Sequence, residues 1–174
     1  MSEEKRMTQT APVHAESLPA ESGGGYPEPF RSRMGHCEWK RLGDPFGLTQ
    51  FGISLETLQP GGQSALRHWH TLEDEFLYLL EGELVLRMNA GETTMTAGMC
   101  VGFKAGVRDG HHFVNRSDQP ARYLILGARI PGGDCYYPDD DLMWVSREDG
   151  GFPAHKDGTP YWLPGKKPGS TPSL

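Results

Sequence analysis

No apolar run in this chain of 174 residues approaches the ~18 residues that a membrane span requires. No N-terminal apolar segment of the secretory kind is present either, so a cytoplasmic protein with no membrane partner is expected. Cysteine is scarce: Cys37, Cys100 and Cys135 are widely spaced, with no CxxC pair. That excludes a disulfide framework and predicts reduced thiols. Cys100, inside the apolar run MCVGF, reads as a buried, inert thiol. Positive charge is also short. The formal net charge is −6 and nothing resembles a basic stripe, which argues against a nucleic-acid partner. A long amphipathic helix and an internal repeat are both missing, which leaves one domain built from short elements.

Glycine (23) and proline (14) are plentiful, and they punctuate short apolar segments whose period is two. Phe51, Ile53 and Leu55 alternate with Gly52, Ser54 and Glu56; Leu84, Leu86 and Met88 alternate with Val85 and Arg87. Similar runs occur at LRHWH, EFLYLL, TTMTA, MCVGF, HHFVN and ARYLILGAR, separated by turn chemistry at PGG, EGE, NAGE and NRSDQP. About eight closely spaced strands predict an all-β protein, with the sheet closed into an antiparallel barrel or jelly roll that removes exposed edges. The hydrophobic fraction, 36%, is low because the ends are polar. Residues 1–25 are expected to be a flexible N-terminal arm, residues 26–162 the barrel, and residues 163–174 a flexible tail. The segment past Arg129 has loop composition and reads as a wrap on the outside of the barrel, with a short strand near Leu142–Val145.

The run GGQSALRHWHTLEDEFLYLLEG carries the chemistry. His68 and His70 stand two apart in an extended stretch, so both imidazoles project to one face. Glu75 begins the next apolar run and can be brought alongside them. Two neutral nitrogens and a carboxylate oxygen make a first-row transition-metal site with open positions. His111 or His112, in GVRDGHHFVN, offers a fourth donor. Glu73 and Asp74 belong to the intervening turn and read as solvated. Arg67, Trp69 and Tyr78 have the opposite parity to the candidate ligands. His14, His36 and His155 fall outside any ligand spacing; His155, Lys156 and Asp157 read as a structural cap.

Gly62, His68, His70, Glu75 and Gly82 fall without a gap on a motif of the cupin superfamily. Gly98, Gly106, His111 and Asn115 can be placed on its second motif. Lys104 stands where that motif has proline, and four residues instead of two separate Gly106 from the histidine. On this pattern the chain resembles small single-domain bacterial cupins, some of which are labelled sugar-phosphate isomerases. The resemblance implies a jelly-roll barrel with metal ligands His68, His70, Glu75 and His111, the last chosen over His112 by its spacing to Asn115. His112 then faces away from the metal.

Three imidazoles and a carboxylate suit one divalent Fe, Mn, Zn, Ni or Co ion without selecting among them. The expected function is metal-dependent chemistry on a small polar organic molecule, of isomerase, lyase or dioxygenase type. The alternative is a small-ligand-binding or sensing barrel without turnover. Gln50, Phe103, Phe113 and Lys104 are the candidate substrate contacts, Phe113 by its shared parity with His111 and Lys104 by its place at the rim. No second carboxylate or histidine of inward parity is evident to act as acid or base. A homodimer is expected, with the N-terminal arm long enough to reach a partner.

Overall fold

The computed structural model describes residues 10–23, 25–147 and 151–162; the expected tail, 163–174, and the start of the arm lie outside them. Thirteen strands follow in chain order: β1 (Glu21–Ser22), β2 (Gly35–Arg41), β3 (Phe51–Gln63), β4 (Trp69–His70), β5 (Glu75–Glu81), β6 (Glu83–Met88), β7 (Gly91–Thr96), β8 (Cys100–Phe103), β9 (His112–Val114), β10 (Ala121–Ala128), β11 (Cys135–Tyr137), β12 (Leu142–Val145) and β13 (Phe152–Ala154). All pairings are antiparallel. The larger sheet runs β7-β6-β9-β3-β10-β5-β8, with β2 and then β1 added beside β3; the smaller runs β13-β12-β11-β4. The fold is an all-β jelly-roll barrel. Of the arm, residues 10–23 lie against its outside. There β1 pairs with β2, and Glu16 forms ion pairs with Lys40 and Arg122.

Turn residues fix the register. Gly82 joins β5 to β6 at φ +82, and a Cβ there would lie 2.7 Å from the Pro120 carbonyl oxygen. Only glycine satisfies both the left-handed backbone and that close approach. The barrel core is built from Leu58, Leu77, Leu79, Leu84, Phe113 and Tyr123, all essentially without solvent exposure. Each such leucine contributes roughly 1.5–3 kcal/mol relative to an exposed one.

The segment past Arg129 does more than wrap the barrel. It supplies three strands of the smaller sheet, which pair with β4 through Cys135↔His70 and Tyr136↔Trp69. It also closes a second core of Phe30, Leu66, Cys135, Tyr137 and Leu142. The candidate ligand His70 is therefore held by a strand far away in sequence.

One expectation is corrected, and one question that the sequence pattern leaves open is decided. Cys100 is exposed, not buried, because it pairs with Tyr78 on the outward face of β5. On β3 the polar residues face inward: Glu56 pairs with Tyr123 and Gly52 with Gly127, in the register that carries Leu79 and Glu75 on the neighbouring strand. Ile53 and Leu55 face outward beside Leu126 and Leu124. The inversion has a simple cause. This end of the barrel encloses a cavity, and Gly52, Ser54 and Gly127 keep it open.

Candidate metal centre

Four side chains converge at the mouth of the barrel. His68 precedes β4 and forms a two-way backbone bridge with His111, with N to O distances of 3.1 and 2.8 Å. His70 ends β4 and Glu75 begins β5. Around the Glu75 carboxylate, Oε2 lies 2.9 Å from His111 Nε2, 3.4 Å from His70 Nε2 and 3.6 Å from His68 Nε2. Donors bound at about 2.1 Å to one ion, about 90–110° apart, stand about 2.9–3.4 Å from each other. Among the described residues, ligand atoms of His68, Glu75 and His111 lie within 4.8 Å of one another, close enough for one ion to share, and His70 Nε2 approaches the same carboxylate oxygen from another side.

Each imidazole is oriented from behind. His68 Nδ1 lies 2.7 Å from the Leu66 carbonyl oxygen, leaving Nε2 free for the cluster. His70 Nδ1 lies 3.3 Å from Glu73 Oε2. The His111 ring stacks on Phe103 at 3.4 Å between centroids, with 2° between planes. Such outer partners set the tautomer and ring angle of metal-binding histidines. Glu73 is thus half-buried against His70 instead of solvated, whereas Asp74 is exposed and accepts the Ala105 amide at 2.7 Å.

The electrostatics match a cluster built around one anion. Burial works to raise the Glu75 carboxyl, but hydrogen bonds from His111, His68 and His70 outweigh it and hold the group well below the usual carboxylate range. Burial pushes His111 down from the ordinary imidazole value, which favours the neutral, donating form. His111 Nδ1 is buried without a hydrogen-bond partner among the described residues. A second set of donors overlaps the first: His68, His70 and the buried Cys135 place ligand atoms within 4.8 Å of one another.

The other candidates separate clearly. His112 is buried with Nδ1 3.0 Å from the Ala65 carbonyl oxygen, so it braces β9 instead of reaching Glu75. Phe103 and Lys104 line an outer cavity of about 250 Å³ together with His70, Glu75 and His111. Phe113 lines an inner cavity of about 260 Å³ that also meets His68, Glu75 and His111. Gln50 is exposed before β3 and lines neither cavity. The long loop after Gly106 does not displace His111, because the Gly106 amide is anchored on the His70 carbonyl oxygen at 2.9 Å. Asn115 is a structural residue: it donates to the Leu58 and Gln119 carbonyl oxygens and accepts from Ser117. Arg67 clasps Asp139 with both fork nitrogens at 2.7 Å. His155 pairs with Asp141 at 2.8 Å and stacks on Tyr161, a cap on the smaller sheet.

Sequence reasoning missed Glu56, which lines the inner cavity on the same wall as Glu75. The available signal was Tyr123, an aromatic with a polar tip on a strand otherwise aliphatic there. Its partner could not be identified without the register.

The Cupin domain family matches residues 54–127. The crystal structure of a sugar phosphate isomerase of the cupin superfamily from Silicibacter pomeroyi is 40% identical in sequence, with a TM-score of 0.83 over 88% of this chain and 98% of that one. The polyketide cyclase RemF from Streptomyces resistomycificus, at 22% identity, shares the fold with a TM-score of 0.57 over 69% of this chain and 80% of that one. The tetracenomycin polyketide synthase protein TcmJ of Streptomyces glaucescens is 38% identical over 79 residues, 45% of this chain. The match spans about half (51%) of that relative's length. Among the described residues no helix is long and apolar enough to cross a membrane. The match to the isomerase structure along nearly its whole length, at 40% identity and on the same barrel, makes this chain a member of the cupin superfamily.

Proposed function

We propose that this chain is a divalent-metal-dependent enzyme of isomerase or lyase type acting on a small, polar, anionic molecule, with sugar phosphates as the leading substrate class. The observation that carries the reading is the convergence of His68, His70 and His111 on Glu75 Oε2 at 2.9–3.6 Å beside open cavities. The 40% identical relative named as a sugar phosphate isomerase supports the substrate class.

His68, His70, Glu75 and His111 would hold the ion. Bound there, it supplies Lewis-acid polarisation of a carbonyl and a template for neighbouring oxygens. The chain's own residues do the rest. Glu73 and the Leu66 carbonyl oxygen fix the two β4-side imidazoles. Phe103 holds the His111 ring and gives the outer cavity an apolar wall, and Phe113 does the same for the inner one. Exposed Lys104 at the mouth offers a charge to an anionic group entering from solvent. The three unpaired thiols suit a reducing, cytoplasmic setting.

Self-association uses the outward sheet face. Phe76, Tyr78 and Leu80 are 41%, 39% and 38% exposed on β5, and Leu124 and Leu126 continue the apolar band on β10. A Phe76→Lys variant analysed by sedimentation should be monomeric where wild type is dimeric; a monomeric wild type rejects the dimer, and a dimeric variant rejects this face.

The activity test is metal analysis followed by an aldose-to-ketose phosphate panel on the metal-loaded protein. Interconversion of one member supports the reading. Oxygen consumption without isomerisation points to dioxygenase chemistry, and tight ligand binding without turnover to a sensing barrel.

A further inference from the structure

The inner cavity holds a second carboxylate besides Glu75. Glu56 lies on β3 directly opposite Tyr123 and shares the cavity with His68, Glu75 and His111. Tyr123 Oη donates to Glu56 Oε2 at 2.8 Å. Cys37 on β2 donates its thiol to the same oxygen at 3.6 Å. Both donors fall on Oε2, and Oε1 has no partner among the described residues. No lysine or arginine pairs with the group, although leucine fills neighbouring core positions. A carboxylate held this way is costly compared with an apolar residue of similar size. Its place in a cavity beside a candidate metal centre gives the cost a use.

We propose that Glu56 is the acid/base residue of this site, exchanging a proton with the bound molecule through Oε1 while Tyr123 and Cys37 position it through Oε2. This rests on the isomerase or lyase reading. For an aldose substrate, the Glu56 carboxylate removes the proton from the carbon beside the carbonyl. The C–H electron pair becomes the C=C bond and the carbonyl π pair moves to oxygen, giving an enediolate. The hydroxyl proton passes between the two oxygens. Glu56 then returns its proton to the former carbonyl carbon, leaving a ketose and the carboxylate restored. The ionisable groups facing Glu56 are Tyr123 from β10, Cys37 from β2 and Glu75 from β5. Burial raises the Glu56 carboxyl above its ordinary value, against the hydrogen bonds from Tyr123 and Cys37, and the negative Glu75 adds to the rise. Burial also keeps the positioning groups protonated, with Tyr123 well above the usual phenol range and Cys37 pushed up to about 12. A carboxylate of raised basicity is better matched to proton abstraction near neutral pH.

The test has two arms on the full-length, metal-loaded protein. In the first, carbon-13 glutamate labelling, with assignment by Glu56→Gln, follows the Glu56 carboxyl through a pH titration. The proposal expects titration above the ordinary glutamate value, and higher still in Tyr123→Phe, which removes a hydrogen bond to the charged form; an ordinary value overturns it. In the second, aldose and ketose phosphates are incubated in D₂O and deuterium incorporation is measured. Glu56→Gln should retain the wild-type metal content and lose about 10²-fold or more in exchange, with Glu56→Asp recovering part of it and a shifted pH profile. Full exchange in Glu56→Gln overturns the assignment. If wild type exchanges no member of the panel, the substrate reading fails instead, and Glu56 is judged on the titration alone.

Discussion

Asn115 looks like a functional residue in sequence, because it completes the second histidine motif, yet its surroundings give it a mechanical task with a calculable cost. It has no solvent exposure. Its amide donates to the carbonyl oxygens of Leu58 and Gln119, each at 2.8 Å, and its oxygen accepts from the Ser117 amide at 3.0 Å and the Ser117 hydroxyl at 2.8 Å. The Asn115→Ala change strands all of these partners. Those of Ser117 and Gln119 lie toward solvent and recover water, so they lose only a net ~0.5–1.5 kcal/mol apiece at most. The buried Leu58 carbonyl oxygen cannot recover, which adds about 1–3 kcal/mol. The total is about 2.5–7.5 kcal/mol, a large share of the ~5–15 kcal/mol typical of a folded domain. For a chain of this size that lowers Tm by about 10–20 °C. Urea unfolding should show a lower midpoint at unchanged slope, with metal content per folded molecule equal to wild type. Asn115→Asp should be at least as destabilising, because it removes both donors and buries a charge. A loss below about 1 kcal/mol in Asn115→Ala would refute the hydrogen-bond reasoning.

Three further outcomes are expected. Gly82→Ala forces a left-handed residue against the Pro120 carbonyl oxygen and should cost about 2–3 kcal/mol by thermal unfolding. Phe103→Ala frees the His111 ring and should weaken metal affinity by about 10-fold or more in direct titration, while retaining the barrel's circular dichroism. Glu56 should impose a pH dependence on stability. Its carboxyl is raised in the folded state, so the folded chain binds the proton more tightly than the unfolded chain. The resulting stability is fully present below the ordinary glutamate value and is lost as pH rises through the raised one. Glu56→Gln should therefore gain stability relative to wild type as the pH is raised from acid to neutral; parallel pH profiles would contradict the raised carboxyl.

The strands were legible from their period of two, and the candidate ligands from the spacing of His68, His70, Glu75 and His111. What the pattern could not decide was which face of β3 turns inward. Ile53 and Leu55 are the more apolar side, and in a solid core they would be inside; here a cavity takes the inside and leaves it to Gly52, Ser54 and Glu56. That inversion hid Glu56. The smaller sheet was hidden for a different reason. Cys135–Tyr137 is short, and its pairing with Trp69 and His70 joins segments with no shared periodicity. Glu73 reads as a solvated turn residue until the fold places His70 Nδ1 beside it. Gln50 has suitable chemistry for a substrate contact but sits before β3 starts, where the chain is exposed.

The most direct test of the central claim is elemental analysis of untagged protein purified without chelators, comparing wild type with the His68→Ala/His70→Ala double variant. Near-stoichiometric iron, manganese, zinc, nickel or cobalt is expected in wild type, with its loss from a double variant that remains folded. Wild-type protein that takes up none of these ions, or a double variant that keeps its metal, would contradict it.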